Sequence, residues 1–377
     1  MFEFNHTVRI VAGVGAFEES GNIVSAFGRK AMIACDSFAV MSGLANKLSQ
    51  LLSESDIQSV VYDKVVPNPT TDIVDAGGEL AREESCDIII GIGGGSSIDT
   101  AKAIAVAASH EGSIWSYAIG DKQATDKTLP IIAITTTSGT GSQCTPFAVI
   151  TNPETNQKPG FGGPFLFPKV AIVDPLLTSS MPPQLTAITG ADVFTHAVEA
   201  YTSKWSSPVV DMYARRAIEL VADNLHSVYK NGNDLQAREA MAIADTFGGI
   251  AISHGGVTVA HVLAHVIGGH YHNIAHGDAL NTIYPAMLEI NKHGMKEKHQ
   301  WIAQTLSGGK NDDVVEAYND FFGQIDFPNK LKEYNPDNDK IQQMASEVFS
   351  YMELYATLGP VEVDKYMIAE ALQIAVK

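Results

Sequence analysis

The sequence is poor in cysteine and in positive charge, and each shortage argues against a class of protein. The chain has only three cysteines, Cys35, Cys86 and Cys144, in 377 residues. This odd, scattered set is typical of reduced cytoplasmic thiols and not of a disulfide framework. Lysine and arginine number 25 against 43 acidic residues, for a net charge of −18. That balance argues against nucleic acid and anionic membranes as partners.

Long hydrophobic runs are missing as well. No apolar stretch reaches the roughly 18 residues needed to span a bilayer, and the N-terminus lacks the basic start and apolar core of a signal peptide. Apolar residues still make up 45% of the chain, which is typical of a globular enzyme. A chain of 377 residues is also long enough for two hydrophobic cores. We therefore expect a cytoplasmic enzyme with two domains.

The first part of the chain, residues 1–180, alternates short β-branched runs with helical patterns. Four runs, each bounded by turn residues, are predicted to be buried strands: 30–35, 57–63, 86–92 and 129–135. Helical patterns over 39–55 and 97–109 lie between them. This order predicts an α/β nucleotide-binding domain with a mostly parallel sheet and helices on both faces.

The second part, residues 181–377, has long amphipathic helical patterns and almost no strand signal. Pro182 and Pro183 mark the start of its first helix, because proline is favoured at the first helical position. Three long helices are predicted over 182–203, 208–230 and 234–253, and the tail from residue 311 is helical with breaks near Pro328 and Pro336. We therefore predict an all-α C-terminal domain.

A glycine-rich turn follows the third predicted strand and leads to Ser96 and a helix. Its glycines are Gly91, Gly93, Gly94 and Gly95. Glycine lets backbone approach a phosphate closely, and the N–H groups at a helix start attract an anion. Ser96 replaces the third glycine of the usual dinucleotide fingerprint, and a plain tight turn can have the same composition. A second polar loop, 135–145, leaves another predicted strand, so the pair favours a phosphate-binding crevice.

Asp36 follows directly after the predicted strand 30–35. A carboxylate in this position can accept hydrogen bonds from the ribose hydroxyls of adenosine, and it would repel a 2′-phosphate. If Asp36 has this role, it favours NAD over NADP. The alternative is that Asp36 is a helix N-cap or a loop acid, and the sequence leaves both open.

Histidines are concentrated in one short segment, since five of the 12 in the chain lie within 261–276. His261 and His265 are four residues apart, and so are Asp192 and His196 further upstream. Residues with this spacing lie on one face of a helix. A single pair of this kind is commonly a solvated surface pair, but two such pairs on neighbouring helices indicate a metal site.

His276 completes the predicted metal site from a glycine-rich loop that we expect after a break at Gly268 and Gly269. One carboxylate and three imidazoles suit a divalent transition metal such as Fe(II) or Zn(II). The predicted ligands are Asp192, His196, His261 and His276. A metalloprotease would need glutamate after the first histidine of the pair, and this chain has Val262. For His270 and His272, an exposed loop position and a place near substrate are both open.

Six stretches together resemble the iron-dependent (group III) alcohol dehydrogenases over essentially the whole chain. They are PNPT (67–70), GGGSSID (93–99), TTSGTGSQCTPFAVIT (136–151), AIVDPLLTSSMPP (171–183), GADVFTHAVEAY (190–201) and HGDAL (276–280). The resemblance implies a Rossmann-like NAD-binding domain (1–180) and a helical metal-binding and catalytic domain (181–377), in a dehydroquinate synthase-like fold. It also implies NAD, one divalent metal and association as a homodimer.

The resemblance also implies roles for individual residues. The metal ligands would again be Asp192, His196, His261 and His276. His265 would lie near the nicotinamide and act as the catalytic proton relay. The cofactor-binding residues would be Asp36, Asn68, Gly94, Gly95, Ser96, Thr136, Thr140, Thr145 and Lys158.

Two departures from the family pattern lie where the substrate is expected. His261 and His276 are 15 residues apart, one more than in common members, so the intervening loop carries an insertion. Gln143 and Cys144 replace an acidic and an aliphatic residue found in many members. Because Kdo 8-oxidase-like relatives act on a sugar acid, a polyhydroxylated substrate is open beside a simple primary alcohol.

Other functions stay open on the sequence. A glycerol dehydrogenase-like enzyme would keep the redox reaction with zinc. A dehydroquinate synthase-like enzyme would need several basic groups for its substrate, and only Lys204 and Lys292 lie near the predicted ligands in sequence. A metal hydrolase would not explain the two phosphate-type loops and Asp36 together. The resulting prediction is a metal-dependent oxidoreductase that interconverts a primary alcohol and an aldehyde with NAD.

Overall fold

The computed structural model describes residues 1–377, with only the backbone described at Tyr351. The chain divides into two compact units. One consists of residues 5–137 and 141–179, and the other of residues 1–4, 138–140 and 180–377. The predicted domain boundary lies after residue 180. In the structure, apart from the short segments 1–4 and 138–140, the boundary between the two units lies after residue 179.

The first unit contains all the strands among the described residues. They are β1 (Arg9–Ala12), β2 (Lys30–Asp36), β3 (Gln58–Val65), β4 (Ile88–Gly93), β5 (Ile131–Thr135), β6 (Phe147–Val149), β7 (Gly160–Gly162) and β8 (Val170–Val173). Six of them form one parallel sheet in the order β1-β8-β5-β4-β2-β3. The other two, β6 and β7, form an antiparallel hairpin. This parallel sheet confirms the predicted α/β architecture of the first part of the chain.

Helices cover both faces of the sheet. They are α1 (Ser20–Val24), α2 (Ser37–Met41), α3 (Leu44–Ser53), α4 (Thr71–Glu83), α5 (Gly95–Ser109), α6 (Ile114–Ala118) and α7 (Pro175–Thr178), with short 3₁₀ turns at Ala16–Glu19, Ser142–Cys144 and Pro164–Leu166. Along β2, Met32 belongs to one apolar core and its neighbour Ile33 to the core on the opposite face. Successive strand side chains point to opposite faces, so a run that is apolar throughout is buried on both.

Several elements of the first unit differ from the sequence prediction. The predicted helix over 39–55 is two helices, α2 and α3, because Gly43 between them adopts φ +82°, a conformation that favours glycine. Strands β1 and β8 were not predicted, since each has only four residues. Such short segments become strands through pairing with each other, in register from Arg9 and Val170 to Ala12 and Val173.

The second unit is helical, as predicted. Its helices are α8 (Pro183–Thr202), α9 (Pro208–Lys230), α10 (Leu235–Gly255), α11 (Val259–His270), α12 (His276–Asn291), α13 (Lys296–Ser307), α14 (Val314–Phe322), α15 (Lys330–Tyr334), α16 (Asn338–Tyr351), α17 (Glu353–Ala356) and α18 (Lys365–Ala375). The first begins at Pro183 with Pro182 as its N-cap. Phe194 packs against Tyr284, Tyr318 and Phe322 in the centre of this unit.

The position of His276 corrects the sequence prediction. Gly268 and Gly269 do not break a helix but lie buried inside α11, and His276 is the first residue of α12 instead of a loop residue. Each glycine costs a helix about 1 kcal/mol relative to alanine. Tertiary packing supplies most helical stability, and α11 is buried along almost its whole length, so packing outweighs that cost.

Among the described residues, no single helix is long and apolar enough to cross a membrane. Within the same residues, only α10 and α11 taken together have the length and composition of a membrane span, and the two helices are bent by 104° at the break between them.

Candidate metal centre and cofactor loops

Three helices bring the predicted metal ligands together in the helical unit. Asp192 lies on α8, His261 on α11 and His276 at the start of α12. Asp192 Oδ1 is 3.6 Å from His261 Nε2 and 3.9 Å from His276 Nε2. One ligand atom from each of the three residues lies within 4.8 Å of the others. Side chains so arranged can converge on a single cation.

The chemistry of these residues fits a divalent metal. Asp192 Oδ1 and His261 Nε2 are buried and have no hydrogen-bond partner among the described residues, and their separation of 3.6 Å is too long for a hydrogen bond. Buried polar atoms without partners cost free energy, and a cation between them would remove that cost. A carboxylate oxygen and imidazole nitrogens are ligands that suit both Fe(II) and Zn(II).

His196, the fourth predicted ligand, lies beside this group. Its ring stacks on that of His261, with 4.4 Å between the centroids. Its Nδ1 is 3.3 Å from the carbonyl oxygen of Gly139 and 3.8 Å from Asp192 Oδ1. Because a carbonyl can only accept, Nδ1 donates to Gly139, and Nε2 is the ring nitrogen that remains for a metal. His196 is not among the three residues whose ligand atoms already converge.

Gly277 explains how α12 comes close enough for His276 to take part. A Cβ atom at this position would lie 2.3 Å from the carbonyl oxygen of Ile188 on α8. Only glycine therefore allows the start of α12 to approach the backbone of α8 at this distance. The HGDAL stretch thus supplies a ligand and the close helix contact that positions it.

Glu199 is a residue of this centre that was not predicted from the sequence. Its Oε1 accepts a hydrogen bond from His261 Nδ1 at 2.6 Å, and its Oε2 accepts from the Thr258 hydroxyl at 2.7 Å and from the Thr258 N–H. Glu199 lies seven residues after Asp192 and so on the same face of α8. That spacing is the sequence signal that could have found it.

The electrostatics of the centre favour positive charge. Burial lowers the pKa of His196 to about 4, so its imidazole is neutral near pH 7. For His261, burial lowers the pKa, but Glu199 and Asp192 outweigh it and raise the pKa to about 9. Burial would raise the pKa of Glu199, but the nearby His261 and the hydrogen bonds that Glu199 accepts from His261 and Thr258 outweigh it. The pKa of Glu199 is therefore lowered. Two carboxylates therefore create a site for a proton or a metal cation.

The remaining three histidines of the segment lie in different surroundings. His265 is buried one turn after His261, and its ring lies 4.9 Å from that of His276 in an edge-on contact. It therefore borders the centre. His270 contacts α16 instead, with Glu347 Oε2 2.7 Å from Nε2 and Lys340 Nζ 2.8 Å from Nδ1. His272 is exposed.

The glycine turn lies in the α/β unit, between β4 and α5. Gly93 has φ +146°, and a Cβ there would lie 2.3 Å from Ser97 Oγ. Gly94 is the N-cap of α5, so Gly95 and Ser96 lie in its first turn. Thr136 follows the neighbouring strand β5, and its N–H donates to the Gly93 carbonyl oxygen at 2.9 Å. The two polar loops are therefore adjacent, as expected for an anion-binding edge.

The other predicted cofactor residues are placed as follows. Lys158 Nζ donates to Asn68 Oδ1 at 2.7 Å, which joins two predicted residues that are 90 positions apart. Asp36 is the N-cap of α2, and its Oδ1 accepts from the Ala39 N–H at 2.9 Å. The N-cap alternative for Asp36 is therefore present, and a ribose contact stays a prediction. Thr140 belongs to the segment 138–140 that groups with the helical unit.

Comparison with known proteins decides the family. Residues 7–175 match the family "Iron-containing alcohol dehydrogenase", and residues 186–376 match "Fe-containing alcohol dehydrogenase family, C-terminal". The chain belongs to the iron-containing alcohol dehydrogenase family. This match confirms the predicted family and its enzyme class, an iron-type alcohol dehydrogenase.

Individual relatives cover most of this iron-containing alcohol dehydrogenase. The NAD-dependent methanol dehydrogenase of Bacillus methanolicus is 35% identical over 353 residues, which cover 90% of this chain and 91% of that protein. The 1,3-propanediol dehydrogenase of Citrobacter freundii is 41% identical over 292 residues, with 77% and 74% covered. The crystal structure of an archaeal halo-thermophilic alcohol dehydrogenase from a Red Sea brine pool has a TM-score of 0.93 at 39% identity, with 100% and 99% covered.

A buried ion-pair network of this alcohol dehydrogenase joins α5 to the second polar loop, and it was not predicted from the sequence. Lys102 on α5 is fully buried, and its Nζ donates to Ser142 Oγ, Thr145 Oγ1 and the Phe147 carbonyl oxygen at 2.6–3.1 Å. Ser142 Oγ donates in turn to Asp99 Oδ1 at 2.6 Å. Burial lowers the pKa of Lys102 to about 8 and raises the pKa of Asp99. This network ties α5 to the second polar loop.

Proposed function

We propose that this enzyme oxidises a primary alcohol to an aldehyde, or catalyses the reverse reaction, by hydride transfer with NAD. The observation that carries the proposal is the group formed by Asp192, His261 and His276 in a chain of the iron-containing alcohol dehydrogenase family. Its relatives include an NAD-dependent methanol dehydrogenase and a 1,3-propanediol dehydrogenase. Both names describe the conversion of small alcohols.

One divalent metal, Fe(II) or Zn(II), would be held by Asp192, His196, His261 and His276. When bound, such a metal supplies Lewis-acid chemistry that lowers the pKa of an alcohol hydroxyl. The carboxylate of Asp192 offsets the positive charge, and Glu199 holds the ring of His261 through Nδ1. The surrounding helices exclude water, since Asp192, His196 and His261 are all buried.

NAD would bind to the α/β unit. The first turn of α5 offers backbone N–H groups to the diphosphate, and the open backbone at Gly93 and Gly94 leaves room for its approach. Lys158 would offer its ammonium group to ribose or phosphate oxygens. The proposed cofactor set is Asp36, Asn68, Gly94, Gly95, Ser96, Thr136, Thr140, Thr145 and Lys158.

His265→Ala is expected to slow turnover without loss of the metal. His265 borders the centre through His276, and imidazole can relay a hydroxyl proton near neutral pH. Loss of such a group lowers the rate by about 10²- to 10⁴-fold. The measurement is kcat from NADH formation, together with metal content per chain. His272→Ala, at an exposed position of the same segment, should leave both unchanged. Loss of the metal from His265→Ala would contradict the separation of roles.

A sugar acid is the second candidate substrate class. It is favoured by the spacing of 15 residues between His261 and His276, which is longer than in common family members.

We also propose that the protein is a cytoplasmic homodimer.

The proposed reaction is tested under anaerobic conditions. The protein is stripped of metal, reloaded with Fe(II) or Zn(II), and assayed for NADH formation across a panel of alcohols and sugar acids. We expect NADH only from metal-loaded protein and from one substrate class. Tight NAD binding without net NADH from any substrate would instead favour an enzyme that uses NAD transiently, as dehydroquinate synthase-like enzymes do.

A further inference from the structure

We propose that Glu199 is a positioning residue, which fixes the ring of His261 and thereby sets how tightly the centre binds its metal. This inference rests on the metal centre of the proposed function. It assigns a role to a carboxylate that contacts a ligand and is not itself one of the four proposed ligands.

A short hydrogen bond joins the two side chains. His261 Nδ1 lies 2.6 Å from Glu199 Oε1. A carboxylate can only accept, so the proton of this bond resides on Nδ1. Nε2 is then the nitrogen that faces Asp192 Oδ1, at 3.6 Å. Glu199 therefore selects both the orientation of the ring and the nitrogen that is presented to a metal.

Glu199 is itself held in place. It is 3% exposed, and its Oε2 accepts hydrogen bonds from the N–H and the hydroxyl of Thr258. Thr258 is the N-cap of α11, the helix that carries His261. A carboxylate at a helix N-terminus is stabilised by the N–H groups that lack partners there. The same side chain thus fixes the start of α11 and the ring three residues later.

Glu199 also borders a small cavity. Polar groups of Thr202, Tyr284, Asn291 and His299 line it together with apolar side chains such as Met287 and Leu288. Glu199 therefore does not lie against hydrocarbon alone. An amide of the same size can therefore replace the carboxylate without burying a new polar group in an apolar environment.

Glu199→Gln is the variant that tests the role. Glutamine has one acceptor oxygen where glutamate has two. If that oxygen accepts from Thr258, the amide NH₂ faces His261 Nδ1–H, and two donors oppose each other. Partners of metal ligands typically change metal affinity by about 10- to 100-fold when removed. We therefore expect Zn(II) to bind about 10- to 100-fold more weakly, measured by competition with a chelating dye without NAD or substrate.

A second readout follows the proton itself. In Zn(II)-loaded protein, the Nδ1–H of His261 should give a downfield proton resonance, because it donates to a carboxylate. That resonance should shift or disappear in Glu199→Gln.

Thr258→Ala keeps the His261 contact and removes one of the two hydrogen bonds from Thr258 to Glu199. It should therefore weaken Zn(II) binding by less than Glu199→Gln does. Glu289→Gln, at an exposed glutamate paired with Lys292, is the matched control and should bind Zn(II) normally.

The outcomes separate this inference from the proposed function. Weaker Zn(II) binding and a changed resonance in Glu199→Gln, with normal binding in Glu289→Gln, support the positioning role. Equal Zn(II) affinity and an unchanged resonance in Glu199→Gln overturn it and leave the metal centre standing. If Glu199→Gln does not fold, a Thr258→Ala protein with unchanged affinity and resonance overturns the role instead. A wild-type protein that binds neither Zn(II) nor Fe(II) overturns the metal centre itself, and this inference with it.

Discussion

The His261→Ala variant is expected to lose both its metal and nearly all of its dehydrogenase activity. His261 is the side chain on which the centre depends, because its Nε2 faces Asp192 and its Nδ1 is bound to Glu199. Lewis-acid catalysis by a metal contributes several kcal/mol to the stabilisation of the transition state. A loss of about 4 kcal/mol corresponds to a decrease in rate of about 10³-fold. Metal content per chain and the rate of NADH formation measure the two effects.

Two further variants separate loss of the ligand from loss of the fold. Truncation of His261 leaves Glu199 as a buried charge that has lost a partner, which is itself destabilising. His261→Gln can still donate to Glu199, so we expect a folded protein that lacks the metal. The control His272→Ala alters an exposed histidine in the same segment and should retain metal and activity. Full metal occupancy in His261→Gln would show that His261 is not a ligand.

Replacement of Lys102 by methionine is expected to lower the free energy of unfolding by about 3–5 kcal/mol, the usual cost of breaking a buried ion pair. Lys102 is fully buried, and its Nζ donates three hydrogen bonds. Without it, Asp99 loses the nearby positive charge, and the oxygens of Thr145 and Phe147 lose their donor. Urea unfolding of the metal-free protein, without NAD, measures the change directly.

The size of the effect depends on the unpaired carboxylate, and this can be tested. Lys102→Met combined with Asp99→Asn removes the lone charge, so the double variant should recover part of the lost stability. Lys127→Met, at an exposed lysine of the same unit, should change the free energy of unfolding by less than about 0.5 kcal/mol. A similarly small change in Lys102→Met would mean that the network contributes little to stability.

Local pattern was sufficient for much of the fold. Strands β2, β4 and β5 could be predicted because a strand that is buried on both faces is apolar at nearly every position. Helix α9 was predicted over 208–230 and is found at Pro208–Lys230, since proline marks its start and its apolar positions repeat with the helical period. Strands β1 and β8 have four residues each, which is too few for a period to be recognised.

The metal centre, too, could be predicted only in part. The spacings of Asp192 with His196 and of His261 with His265 identified a metal site from the sequence, because residues four apart share a helical face. The position of His276 at a helix start and the approach permitted by Gly277 depend on the packing of α12 against α8. No pattern within the HGDAL stretch specifies that packing.

The family, the α/β and helical parts, and the residue types of the candidate metal site could be predicted, because each is encoded in local spacing or in short motifs. Which atoms meet depends on the tertiary structure. Glu199 and His261 are 62 residues apart, and Lys102 and Ser142 are 40 apart. Hydrogen bonds over such separations depend on how whole helices and strands pack, and a local periodicity carries no information about them.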